Sequence, residues 1–328
     1  MGWDDIKGRG AQLAEGLFTS AWSVGELAYI MRRPQDLLHD AYRDRVLERV
    51  ATHGLYEHYP QEVQTVRLGR SGEIRLTNPF VRVGRGGSDD VVAQMRTAAR
   101  PRSRSLLVVG HCYGVPYPSW MESYFGLREF PAWDVVYNKT NNHYPGSYAT
   151  WPGFGLISPQ LSRVIENIQS AIVGLRTLVR SLTHTFEYDQ VALLGYSIGG
   201  HLALHAAHCQ QLDKLVLYCP VTSLRATVER LGLMGALHGP MERTMRRLRD
   251  SFDLADLDLL DPLRHELLVE PDNVLVVVQE RDAMVDPRQI DALVARYPAI
   301  RTARFGGTHV YQGERDRALR TIKGFLAE

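Results

Sequence analysis

A chain of 328 residues, 45% hydrophobic and 23% charged, is long enough to bury a large core without staples. Its 38 basic and 37 acidic residues leave a net charge of +1, which argues against nucleic acid or an acidic polymer as partner. Cys112, Cys209 and Cys219 are too few and too scattered for a disulfide framework or a zinc site, so a reducing, cytoplasmic location and no metal are expected.

Met1-Gly2-Trp3-Asp4-Asp5 carries no basic n-region and no small-residue cleavage site, so no secretory signal is expected. Ile6 stands where a myristoylation motif needs Ser or Thr. No apolar run reaches membrane-spanning length. Residues 10–32 read as a helix, with Leu13, Leu17, Phe18, Trp22, Leu27 and Ile30 near helical spacing. A second helix is expected over residues 35–53, opened by Pro34 and stopped by Gly54. Residues 1–58 are thus expected to be a helical extension. Its apolar face needs a partner, either the main domain or a twin subunit, which would make a homodimer. A membrane surface is less favoured, because the polar face is not rich in Lys.

The pattern then shortens into strands. Residues 63–68 and 73–83 read as an antiparallel pair around Gly69-Arg70-Ser71-Gly72, and a helix is expected near residues 90–99. Residues 106–109 are a buried strand, followed by Gly110-His111-Cys112-Tyr113-Gly114. Residues 133–137 form another strand that opens into a polar loop over residues 138–157. Ser158 and Pro159 cap a long helix to about residue 182. A strand over residues 191–196, a helix to about 209 and a strand over 214–219 follow. Residues 221–270, where Arg and Leu alternate with acidic residues, read as a helical insertion. Strands at 274–279 and 302–305 alternate with helices at 287–296 and 314–326. Alternating strands and helices predict an α/β fold, a mostly parallel sheet covered by helices on both faces.

The most informative stretch is Gly195-Tyr196-Ser197-Ile198-Gly199, a G-x-S-x-G turn between an apolar strand and a helix. A serine in such a corner is held in a strained conformation, and glycine two positions to each side removes the Cβ atoms that would collide with it. A serine nucleophile needs a base and a group that orients the base. Each is expected just beyond the carboxyl end of a strand. Asp282, three residues past the strand at 274–279, is the preferred acid. Asp286, just before Pro287, reads better as a helix cap. Glu280 reads as a loop charge. His309, after Gly306-Gly307-Thr308, is the candidate base. Oxyanion donors are expected from the N–H of Ile198 and from the loop His111-Cys112-Tyr113-Gly114. His201, His205 and His208 lie along the helix after the serine; a packed or surface face is favoured over a metal site there, because no carboxylate or cysteine completes one nearby.

These ordered motifs make the chain resemble the α/β-hydrolase fold superfamily over about residues 60–328. The details at residues 279–287 and 199–201 are weakly similar to an intracellular branch of abhydrolase domain-containing proteins. The resemblance implies Ser197 as nucleophile, Asp282 as acid and His309 as base, with Ile198 and Tyr113, beside Cys112, as oxyanion donors. In place of the family's frequent His-Gly the loop reads His111-Cys112. It also implies a core of residues 59–220 and 271–328, with 221–270 as a lid. The implied reaction is ester or thioester hydrolysis of a small-molecule acyl substrate, with no cofactor. Acyl transfer by the same triad and non-catalytic binding are the alternatives. Candidate pocket residues are His111, Tyr196, Leu233 and Met234, with Trp151 on the facing loop.

Overall fold

Runs of branched aliphatic residues build the middle of the sheet. β3 (Ser105–Gly110, SLLVVG), β5 (Gln190–Tyr196, QVALLGY), β6 (Lys214–Tyr218, KLVLY) and β7 (Val274–Gln279, VLVVVQ) are buried along nearly their whole length. Such strands need cover on both faces. The computed structural model describes residues 40–56, 63–69, 71–83, 88–96, 104–113, 118–124, 130, 132–140, 156, 161–235 and 254–328. The helix expected over 10–32, and the homodimer contact argued from it, lie outside the described residues.

Eight strands form one sheet in the order β1-β2-β4-β3-β5-β6-β7-β8. β1 (Glu73–Val81) and β2 (Ser88–Arg96) pair antiparallel, as do β2 and β4 (Asp134–Lys139). From β4 onward every pairing is parallel, ending with β8 (Arg301–Phe305). After β3 the chain moves outward to β4 and then returns to β5 on the other side of β3. That reversal falls between β3 and β5, and the carboxyl ends of strands at such a switch point are the usual place for a site in an open α/β sheet.

Helices cover both faces, as expected. One face carries α1 (Asp40–His53), α3 (Leu161–Phe186), α4 (Ile198–Ala206), α5 (Leu224–Gly235) and α6 (Gln289–Arg296) around a single core. The other is covered by α2 (Pro118–Tyr124) and α7 (Arg315–Ala327), through Met121, Leu319, Ile322 and Phe325. α1 lies within the expected second helix, and Gly54 stops it at φ 72°. It is tied down at the buried Glu166 of α3, which accepts from Tyr42 Oη, from Arg49 at 3.0 Å and from the Val83 N–H at 2.6 Å. No helix among the described residues is long and apolar enough to cross a membrane.

Two expected elements change. Residues 63–68 are not a strand. Their N–H groups at Gln64 and Val66 donate instead to Ser181 Oγ and Thr185 Oγ1 of α3, each at 3.0 Å, so a helix surface satisfies them. The helix expected near residues 90–99 is strand β2. Val91, Ala93 and Met95 are buried in alternation, the period of a strand. The partner of β1 is therefore β2 and not residues 63–68. In the 221–270 segment, Leu224, Leu257 and Leu260 are buried in the domain core, so both described ends of it pack on the domain body.

Candidate active site

Ser197 sits between β5 and α4 with φ 57° and ψ −117°. Positive φ is uncommon for a residue with a Cβ, and bonds on both sides hold it there. Its N–H donates to Tyr218 O at 2.9 Å, and its carbonyl accepts from His201 N at 3.1 Å and Val221 N at 3.2 Å. The two flanking glycines are needed for space. A Cβ on Gly195 would lie 2.4 Å from Gly199 O; one on Gly199 would lie 2.5 Å from Gly110 C and O and 2.6 Å from His111 O. These neighbours are backbone and cannot swing away. Gly199→Ala is expected to cost about 3 kcal/mol, the upper end for overpacking, and to lower the melting temperature by several degrees. A calorimetric scan checks this, and an unchanged transition would contradict the contact.

β7 and β8 deliver the partners. His309 Nε2 lies 2.9 Å from Ser197 Oγ, and His309 Nδ1 lies 2.6 Å from Asp282 Oδ2. All three residues are buried. The other carboxylate oxygen, Asp282 Oδ1, accepts the N–H groups of Met284 at 2.9 Å and Val285 at 2.8 Å. Two backbone donors thus fix the carboxylate, the carboxylate orients the imidazole, and the imidazole faces the hydroxyl.

The rival acid is engaged elsewhere. Asp286 pairs with Arg230 at 2.7 Å and Arg288 at 2.6 Å. The Arg288 hydrogen bond leads in lowering its pKa to about 2. Asp286 Oδ1 also accepts the Arg288 N–H at 3.0 Å, just ahead of α6. Glu280 is exposed.

Ile198 opens α4, so its N–H has no acceptor within the helix. Cys112 and Tyr113 follow β3, whose last residue, Gly110, lies against Gly199. Burial raises the Cys112 thiol pKa well above the ordinary range. His111 and Tyr196 are both buried. His111 Nδ1 lies 2.9 Å from Cys112 O, and its Nε2 accepts the Thr140 N–H at 3.2 Å. Tyr196 donates to His309 O and stacks on the His309 ring, with centroids 5.4 Å apart. Neither Trp151 nor the Leu233 and Met234 side chains fall among the described residues.

Three neighbours of the site were not anticipated. Arg230 on α5 donates to Ala283 O at 2.7 Å and pairs with Asp286, so it clamps the loop that carries Asp282. Tyr124 of α2 stacks on Tyr196 and donates to Val310 O at 3.0 Å, bracing the His309 loop. Cys219, directly after β6, has φ 43° and places its sulfur near Asp282 and His309. Only an Arg at helical spacing, or an aromatic next to a motif, marks such residues in a sequence; the contacts themselves are tertiary.

The histidine face of α4 is packed. His201 and His205 are fully buried, with ring centroids 4.7 Å apart, and His205 also lies against His208, His265 and Tyr56.

Residues 132–325 match the model of the alpha/beta hydrolase family. Among solved structures, the chain is similar to an esterase of Pyrococcus furiosus at 13% identity, TM-score 0.52, over 81% of this chain and 98% of that one. It is similar to an acetyl xylan esterase of Paenibacillus sp. R4 at 15% identity, TM-score 0.52, over 86% and 93%. A lidless a/b serine hydrolase of Xanthomonas campestris is similar at 13% identity, TM-score 0.50, over 80% and 96%. At such identities the likeness is one of fold. No curated protein matches the chain. With the family model covering more than half of its length, the chain belongs to the alpha/beta hydrolase family.

Proposed function

We propose that this protein hydrolyses a carboxylic ester or thioester of a small or medium acyl group through an acyl-Ser197 intermediate. The observation that carries this reading is the unbroken chain from Ser197 Oγ to His309 at 2.9 Å and from His309 to Asp282 at 2.6 Å. His309 Nε2 takes the hydroxyl proton as Oγ attacks the acyl carbon. Asp282 holds the Nδ1–H tautomer and stabilises the imidazolium. The N–H of Ile198, with one from Tyr113 or Cys112, receives the charge that develops on the acyl oxygen. His309 then passes the proton to the departing alkoxide or thiolate. Water attacks the acyl-enzyme with His309 again as base, releasing the acid and restoring Ser197. No step calls on a cofactor. The start of α5 stands beside the site, joined to the Asp282 loop through Arg230.

The test is a chain-length series of nitrophenyl esters and acyl thioesters, with rapid quench and intact mass on wild type and Ser197→Ala. Wild type is expected to accumulate one acyl adduct and release free acid; Ser197→Ala does neither. Turnover that survives Ser197→Ala contradicts the proposal. Added alcohols or amines that divert most acyl groups from water would replace hydrolysis by acyl transfer at the same serine.

A further inference from the structure

The sulfur of Cys219, a carboxylate oxygen of Asp282 and an imidazole nitrogen of His309 all lie within 4.8 Å of one another, and all three residues are buried. Cys219 is 5% exposed and not in a disulfide. No other group of three or more His, Cys, Asp or Glu among the described residues converges in this way. We propose that Cys219, Asp282 and His309 form a binding site for a thiophilic divalent cation, zinc or cadmium, which switches the hydrolase off when bound.

The donor chemistry favours such a cation. One sulfur, one nitrogen and one oxygen suit a tetrahedral zinc-type ion, with a fourth position left to water. Bond lengths of this kind place donors about 3.3–3.8 Å apart, so filling the site needs shifts on the order of 1 Å, and a cation on Nδ1 replaces the 2.6 Å hydrogen bond between His309 and Asp282, which must open. Charge also balances. A thiolate and a carboxylate cancel a divalent cation, so the filled site is neutral in a buried place where net charge is costly. Hard cations that prefer all-oxygen shells fit poorly.

Binding releases one proton, from the Cys219 thiol. His309 stays neutral. If the cation takes Nδ1, the ring proton moves to Nε2, which then carries hydrogen where it faces Ser197 Oγ. If the cation takes Nε2, that lone pair is used directly. In both cases the imidazole no longer accepts the serine proton. The blocking effect rests on the proposed triad; cation binding does not.

The experiment titrates cadmium into the full chain of wild type, Cys219→Ser and Cys219→Ala, with two readouts. The first is the ultraviolet charge-transfer band of a cadmium-thiolate bond. The second is the rate at which a fluorophosphonate labels Ser197. Wild type is expected to show the band at one equivalent. Its labelling should slow by at least about a hundredfold, the lower end of what a positioned general base contributes. A chelator should restore it. Both Cys219 variants should lack the band and keep labelling in cadmium. A band that persists in both variants assigns the metal to Cys112 or Cys209 and overturns the site. Equal block of wild type and variants overturns it too, as does absence of any band. If wild type fails to label before cadmium is added, the hydrolase reading fails and the band alone decides the cation site.

Discussion

Replacing Asp282 with Asn lowers kcat by about 10,000-fold with little change in KM, the loss expected when a triad base is held in the wrong tautomer. The local hydrogen bonds impose that outcome. On the Oδ1 side two N–H donors, Met284 and Val285, demand an acceptor. The Asn carbonyl must therefore face them, because an amide there would set donor against donor and leave buried groups unsatisfied. Its NH2 then faces His309 Nδ1, which must accept. The ring proton shifts to Nε2, and the nitrogen facing Ser197 can no longer take a proton. Asp286→Asn is the control. It weakens the pairs with Arg230 and Arg288 without touching the imidazole, and its kcat should fall less than about tenfold. Steady-state kinetics on both variants test the assignment. The opposite ranking would move the acid to Asp286.

Acid should destabilise the fold steeply from about pH 6.5 down to about 4. Burial, the largest cause in each case, lowers His111, His201 and His208 to about 4 and His205 well below its usual value. Neighbouring histidines add to the shift: His208 beside His201; His201, His208 and His265 beside His205; His265 beside His208. Arg296 lowers His208 further, and Glu266 opposes it. Carbonyl bonds to Val221, Leu260 and Glu266 only partly offset burial. Above pH 6.5 these rings are neutral in both folded and unfolded chains and contribute no pH dependence. As pH falls through 6.5 the unfolded chain takes up protons that the folded chain refuses, so stability drops until the folded value is reached. For the fully buried His201 the loss is on the order of 3 kcal/mol by pH 4. Asp286 acts in a lower window: its lowered pKa adds stability above 3.8, lost as pH falls through about 2. Denaturant melts across pH 7 to 4 should show the slope, and it should be shallower for the double variant His201→Gln, His205→Gln. A double variant with the wild-type slope would contradict this origin.

The parts of this arrangement that were legible in the sequence are local ones. β5 and β7 are short apolar runs, and β8 is bounded by Gly306-Gly307; Ser197, Asp282 and His309 stand just beyond these three strands, so strand ends could be found and the chemistry placed on them. The sheet's parallel body followed from the same alternation of strand and helix. The misread elements had conflicting local signals. Ser88–Arg96 is polar enough to read as a helix, but Val91, Ala93 and Met95 point to one side of a sheet. Residues 63–68 look like a strand because their N–H partners, two hydroxyls on α3, are more than a hundred positions away. The same distance hides the braces of the site. Nothing near Tyr196 in sequence says that its ring underlies His309, and nothing near Cys219 says that its sulfur reaches Asp282. Nothing near His111 in sequence says that Thr140, just past β4, donates to its second nitrogen.

The central claim, that Ser197 is a nucleophile activated by His309, is tested most directly by labelling with a fluorescent fluorophosphonate, followed by intact mass, on wild type, Ser197→Ala and His309→Ala. The expected result is one adduct on wild type, none on Ser197→Ala and sharply slowed labelling on His309→Ala. A folded wild type that takes no label, or a Ser197→Ala variant that labels as fast as wild type, would contradict it.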